Sequence, residues 1–424
     1  MPVENKYNGY PEMKPIYSWS LGVFALALLL NIGVALGLGM KKAMDSDALQ
    51  YLRIAQNLAA GKGYVTDATF WPGQPTMQRL PGWPAVIAVA LRIVPKLDPD
   101  IVMRLTCLLC NAAIAGLLVL VAWQLWARLL PAVLAGLLYA IHPVALFLAY
   151  YGSSEMLFLV LVCAGLLAWS HSQRWRPVAC LLFGAACLER ANFLLWLPLA
   201  GVILGIYIAR GKIIYHRGLL VRGALCAFLF LVPAILWMVR NHAVSGHFPV
   251  MSTLRGQTFY GGNNPVVADE WKYWGYWVFP DQIPGEKRLA ELAQSGFSEY
   301  DADVYYFRKG DAYIRAHLFE MPRLWFGKLV RAYVPVPWKP AWNTYVAGAF
   351  RLVVYAGLAW GLMLGWRQVA PGIRLAFIAM AFANVVTVVV FWGYARFAFA
   401  LEPFYLPFVG LAAARVIEEW RMEG

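Results

Sequence analysis

Two carboxylates, Asp45 and Asp47, stand close together in the stretch MDSDALQYLRIAQNLAAGKGY, residues 44–64, just after the first long apolar run of the chain. Leu49, Leu52, Ala55 and Leu58 recur at helical spacing, which predicts an amphipathic helix from Asp45 to Ala60 lying on a membrane surface. Asp47 and Tyr51 are four apart and share a face of that helix. Two roles fit the acids. Asp45 or Ser46 can cap the helix while Asp47 complements its dipole, or Asp47 can act as a base at the interface and take a proton from a hydroxyl.

Arginines supply the second half of a possible chemistry. Arg79 in QRLPGWP, Arg190 in LERANF, Arg240 in MVRNH and Arg396 in GYARFAFALEPF all fall at ends of apolar runs that share one side of the membrane. Each alone reads equally as a snorkelling residue on lipid headgroups. Four converging on one outer face beside an acid are harder to explain as anchors alone. Glu155 in YYGSSEMLF is either the first-turn acid of a helix capped by Ser153 and Ser154 or a substrate-binding carboxylate. Glu189 reads as a partner of its neighbour Arg190. The loop GGNNP with Trp271, Trp274 and Trp277 is either a platform for a sugar or acceptor, or an interfacial belt and the core of an outer domain. His142, His242 and His247 have no partner spacing that suggests zinc or an activated nucleophile, and they read as ordinary polar residues.

The elements that must position these groups are membrane helices. Of 424 residues 61% are hydrophobic and 14% charged, which excludes an ordinary soluble domain. Apolar runs at roughly 17–40, 101–127, 132–150, 154–171, 176–190, 192–210, 218–239, 345–366, 372–392 and 396–417 predict ten crossings. Helices are the expected spanning element because they satisfy their own backbone polar groups, and the short alternating strands of a barrel are not seen. The first run lacks an evident cleavage site and reads as an uncleaved anchor.

The net charge of +13 lies in short clusters between apolar runs, as orientation signals do, and nucleic acid is excluded as a partner. Those clusters place both termini inside and leave residues 41–100 and 240–344 outside. Residues 83–95 are too short to cross and are expected on or dipping into the outer face; 322–338 mix aromatics with Arg and Lys as an interfacial helix does. The domain division expected is 1–240 as a transmembrane module with its first outer loop, 241–344 as a large outer region, and 345–424 as a three-helix segment. All six cysteines lie within apolar runs without metal spacing, so they read as packing residues.

The acid after the first span, the tyrosine four residues on, the helix end A.NL..G.GY at 55–64 and the basic residue before a Pro-rich turn occur in an order with a known counterpart. It resembles the outer loop of GT-C glycosyltransferases that use polyprenyl-phosphate sugars, the protein-mannosyltransferase and aminoarabinose-transferase-like group, glycosyltransferase family 39 and relatives. The resemblance implies an all-α polytopic fold with interfacial helices, and it makes Asp47 the catalytic acid group. Asp45 departs from the pattern, because many members carry a second acid directly after the first, where this chain has Ala48. Arg190, Arg396 and Glu155 stand where the family has a basic residue, an arginine before a proline and an acid.

The resemblance implies an inverting transferase in a bacterial inner membrane that moves a sugar from a polyprenyl-phosphate donor to a lipid, glycan or protein acceptor on the periplasmic face. Asp47 would be the base; Asp45, Tyr51, Arg79, Glu155, Arg190, Arg240 and Arg396 would bind substrate. No cofactor is implied with certainty. Asp45 and Asp47 could hold a divalent metal, although two carboxylates fall short of a site. The competing readings are a lipid-linked glycan flippase, which would put ionisable residues deep in the spans, and an O-antigen-type polymerase or ligase.

Overall fold

Long apolar runs without internal turn residues fold as helices, and the computed structural model is built almost wholly of them. It describes residues 14–40, 46–66, 70–211, 217–335 and 342–423; Asp45 lies outside the described residues. Among these the only β-type pairing is one antiparallel bridge between Val65 and Pro75.

The chain opens with α1 (Lys14–Leu38), then two helices at one end of the bundle, α2 (Ser46–Ala59) and α3 (Gly82–Ile93). Helix α4 (Pro99–Trp126) starts on an Asp98 cap with proline at its first position and ends at Ala127 in the left-handed region. Then follow α5 (Leu129–Ala140), α6 (Pro143–Tyr150), α7 (Glu155–His171), α8 (Arg176–Cys187), α9 (Trp196–Ala209) and α10 (Arg217–Ser245). An outer unit holds α11 (Arg255–Gly261), α12 (Pro265–Asp269), α13 (Leu289–Gln294), α14 (Glu299–Ala316) and α15 (Met321–Tyr333). The chain returns through α16 (Trp342–Gly365), α17 (Pro371–Val390), α18 (Ala395–Phe399) and α19 (Glu402–Glu423).

Among the described residues six helical stretches are long and apolar enough to cross a membrane: 15–38, 99–126, 191–209, 220–245, 344–368 and 371–390. The expected run 132–150 is instead two helices bent by 49°. His142 stands in extended backbone there because the following Pro143 disfavours the helical region for it. Counted as one broken span, the pair makes seven. The count of ten would further need α7, the 12-residue α8 and α19 to cross. Residues 83–95, read as too short to cross, form the 12-residue α3, whose Trp83, Ile87 and Leu91 are buried; Trp83 Nε1 donates to the Gly152 carbonyl at 3.0 Å. The chain is a multi-pass membrane protein.

Two apolar cores result. The larger joins α1, α4–α8 and α16–α19 with α2 and α3. The smaller lies in the outer unit around Val267, Leu292, Tyr306, Met321 and Leu324, and it takes in Trp71 of the first loop, whose Nε1 donates to the Phe297 carbonyl at 3.0 Å. The described cysteines are all free, as packing residues would be.

Candidate active site

Residues 47, 50 and 51 of α2 share one helical face, and all three hold the same arginine. Arg79 Nη2 donates to Asp47 Oδ1 at 2.6 Å, its Nε donates to Gln50 Oε1 at 2.8 Å, and its guanidinium lies 5.2 Å from the Tyr51 ring centroid. The loop carrying Arg79 is pinned from behind, since the Tyr64 hydroxyl donates to the carbonyls of Arg79 at 2.9 Å and Leu80 at 3.1 Å.

The other carboxylate oxygen, Asp47 Oδ2, is 3.6 Å from Arg396 Nη1. Arg396, on α18, makes a bidentate pair with Glu155 through Nε and through Nη2 at 2.8 Å. Glu155, the first residue of α7, is fully buried and also accepts from Arg190 Nη2 at 2.5 Å. A buried carboxylate needs such pairing, since an unpaired charge away from water costs several kcal/mol. The result is one chain of charge, Arg79, Asp47, Arg396, Glu155 and Arg190, assembled from the first loop and the ends of three helical segments. Among the described residues the chain holds three guanidiniums and two carboxylates, and Asp47 is the open member, with a side chain 38% exposed.

Burial raises the Asp47 carboxyl, but Arg79 and then Arg396 outweigh it and hold the group below the usual carboxylate range. It is therefore ionised at neutral pH. Its position in the first turn of α2 also suits the helix dipole, so the capping and chemical readings coexist in one side chain.

Six of the residues singled out in the sequence, Asp47, Tyr51, Arg79, Glu155, Arg190 and Arg396, come together; Arg240 does not join them. Its Nη1 donates to the Thr76 carbonyl at 2.7 Å and its Nη2 to the Tyr64 carbonyl at 3.2 Å, while the guanidinium lies over the Tyr64 and Trp237 rings. It clamps the first loop to α10, because backbone carbonyls are within its reach there. Arg190 pairs with Glu155 and not with Glu189, which is buried against the turn at Gly82. The GGNNP asparagines are fully buried: Asn264 caps α12 and Asn263 binds the Phe259 and Val390 carbonyls, so neither offers a surface for hydroxyls.

Sequence reasoning missed Gln50, which the i, i+3, i+4 face could have supplied. It also missed a second ionic group inside the bundle. His142 Nε2 lies 3.0 Å from Glu402 Oε2, and Arg351 pairs with Glu402 Oε1. The signal available was a charged residue inside each of two apolar runs.

The open cluster can bind a phosphate through guanidiniums and offer a carboxylate to a nearby hydroxyl. Of the two carboxylates read as a possible metal pair, Asp45 lies outside the described residues and Asp47 is engaged by Arg79 and Arg396; among the described residues no three His, Cys, Asp or Glu side chains gather as ligands.

No family model matches the sequence, and no curated protein is significantly similar to it. Solved structures are similar in fold. An oligosaccharyltransferase from Archaeoglobus fulgidus, in complex with zinc and sulfate, matches over 94% of this chain with a TM-score of 0.57 at 14% identity. The archaeal oligosaccharyltransferase AglB of the same organism, with an inhibitory peptide and a dolichol-phosphate, matches over 96% with a TM-score of 0.53 at 15% identity. The chain spans about half the length of both, 50% and 51%. ArnT from Cupriavidus metallidurans bound to undecaprenyl phosphate aligns over 94% of this chain and 78% of its own, at 17% identity and a TM-score of 0.45. By its fold, the chain is an all-α polytopic membrane protein similar to these oligosaccharyltransferases.

Proposed function

We propose that the chain is an inverting glycosyltransferase that takes a sugar from a polyprenyl-phosphate donor and passes it to an acceptor hydroxyl on the periplasmic face of a bacterial inner membrane. The observation that carries this reading is the charge chain itself, a carboxylate 38% exposed and held between two arginines. The fold supports it, since the similar AglB structure contains a dolichol-phosphate.

In the reaction the acceptor oxygen attacks the anomeric carbon, the bond from that carbon to the phosphate oxygen breaks, and the acceptor proton passes to Asp47. The phosphodiester leaves as a monoester with one more negative charge, which the guanidiniums stabilise where it develops. A phosphate of this kind leaves without protonation, so one carboxylate suffices where a glycosidase needs two. A single displacement inverts the anomeric centre.

The paired state also regulates the base. A carboxylate held low by two guanidiniums accepts protons weakly, whereas a donor phosphate that recruits Arg79 and Arg396 relieves that hold and raises Asp47 toward useful basicity. Donor binding thus prepares the base before the acceptor reacts.

The test is transfer of radiolabelled sugar from a panel of polyprenyl-phosphate sugars to membrane acceptors, comparing the wild type with Asp47→Asn at equal expression. Loss of a general base lowers transfer by about 10²- to 10⁴-fold. Normal transfer by Asp47→Asn would remove Asp47 from the chemistry, and a wild type that consumes no donor would sink the transferase reading.

A further inference from the structure

The triplet Trp-Gly-Tyr occurs twice, at 274–276 in the outer unit and at 392–394 just before Arg396. The two copies meet at their glycines, where Gly393 N donates to the Gly275 carbonyl at 2.9 Å. Both positions need glycine. Gly275 has φ +70°, and a Cβ on it would come within 2.3 Å of the Gly327 backbone; a Cβ on Gly393 would come within 2.1 Å of the Lys328 carbonyl. The outer loop, α15 and the segment before α18 therefore touch backbone to backbone.

This close approach brings aromatic rings together beside the charge cluster. The Arg190 guanidinium lies 6.0 Å from the Phe397 ring, and Phe397 meets the Trp392 ring edge to face at 4.9 Å. Trp392 stacks on Tyr394 at 5.4 Å and 17°, and Tyr276 packs its edge against both at 5.5 Å. The contacts run from Arg190 through Phe397 and Trp392 to Tyr394 and Tyr276 without a break. The outer member of this wall, Tyr394, remains 38% exposed, so the stack presents an open face where a buried core would close it.

We propose that Trp392, Tyr394 and Tyr276 form the subsite for the sugar ring of the donor, an assignment that rests on the function proposed above. A sugar joined directly to a phosphate must lie one bond away from the group the arginines hold, and the wall begins there. Aromatic faces pack against the C–H face of a pyranose or furanose. The chemical class is thus a neutral or weakly charged monosaccharide on a prenyl phosphate.

The test is calorimetric titration of the purified full chain in detergent with citronellyl phosphate and with citronellyl phosphate carrying each of a panel of hexoses and pentoses, without acceptor. The expected result is that one sugar-bearing probe binds more tightly than the sugarless one. Tyr394→Ala then weakens that probe by about two- to ten-fold, the range of an aromatic contact, and leaves citronellyl phosphate unchanged. Tyr394→Phe, which keeps the ring, retains affinity, and Trp271→Ala, which removes an indole 72% exposed elsewhere on the outer unit, has no effect. If Tyr394→Ala weakens both probes equally or neither, or if no sugar adds affinity in the wild type, the wall is an interfacial belt and the subsite is refuted while the phosphate site stands. A wild type that binds neither probe refutes the transferase reading and the subsite with it.

Discussion

Two ionic clusters lie at successive levels of the same bundle, and they resolve the cost of buried charge in opposite ways. Among the described residues the outer one holds Arg79, Asp47, Arg396, Glu155 and Arg190, with a carboxylate whose side chain is 38% exposed. The inner one holds His142, Glu402 and Arg351, whose residue exposures are 1%, 0% and 5%. They are joined through α18, since Arg351 Nη2 donates at 3.1 Å to the carbonyl of Ala395, the residue before Arg396. A closed cluster locks the joint of α16, α18 and α19; an open cluster is poised for a ligand. Access, more than the presence of ionisable groups, separates a site from a fastening.

The largest contrast should come from breaking each. Glu402→Gln leaves Arg351 buried without a counter-charge and is expected to lose about 3–5 kcal/mol of stability, whereas Asp47→Asn, at a carboxylate whose side chain is 38% exposed and whose partner Arg79 keeps Gln50, should cost clearly less. Thermal unfolding of the purified proteins in detergent measures both. Replacing the whole inner cluster, His142→Phe with Arg351→Met and Glu402→Met, should recover most of the loss, because a well-packed apolar set can match a buried ion pair. Equal midpoints for Glu402→Gln and Asp47→Asn would erase the distinction.

Next in size is the loss of guanidinium geometry at the outer cluster. Arg396→Lys keeps the charge but not the bidentate grip on Glu155, and transfer is expected to fall by about 10²-fold, as when one donor to a developing oxyanion is lost. The same exchange at Arg240, whose partners are loop carbonyls, should act mainly on stability. If the Arg240 exchange were the more damaging to transfer at unchanged midpoint, the assignment of the two arginines would be reversed.

A smaller effect concerns pH. Arg79 is the foremost of the charges that lower Asp47, so Arg79→Gln should raise the Asp47 pKa and move the acid limb of kcat/KM to higher pH. An acid limb that stays in place would mean that Asp47 is not the group whose ionisation the rate reports.

The outer cluster was legible because its signals are local. Asp47 and Tyr51 lie four apart on one helix, and Arg79, Glu155, Arg190 and Arg396 each interrupt the apolar pattern at a run's end. What stayed hidden depends on tertiary approach. His142 and Glu402 are 260 residues apart, so neither announces the other. Arg240 carries the same local signature as Arg190, yet its partners are carbonyls of a folded loop, which no spacing encodes. Hydropathy likewise misses the bend at His142, where composition stays apolar and the proline alone marks the break. GGNNP, read as part of a sugar platform or of the outer unit's core, is buried where the outer unit meets the end of α17: a Cβ on Gly262 would come within 1.9 Å of the Phe391 carbonyl, and Asn263 donates to the Val390 carbonyl.

Lys328 offers the last test and a third way of resolving buried charge. It is fully buried where the outer unit meets α17, donating to Asn263 Oδ1 at 2.8 Å and to the Val389 carbonyl at 2.9 Å. Burial pushes its ammonium down to about 7. The unfolded chain keeps a lysine near 10.5, so between about pH 7 and 10.5 the unfolded state binds more protons and stability rises with pH. Below that window the folded lysine is charged as well, and its contribution is constant and at its least favourable. Lys328→Met cannot titrate, so the difference in unfolding midpoint between wild type and variant should move in favour of the wild type from pH 7 to pH 9. A difference that does not change over that range would show the joint to be held by a charged ammonium, and neutralisation would then drop out as a third means of placing a basic residue inside this protein.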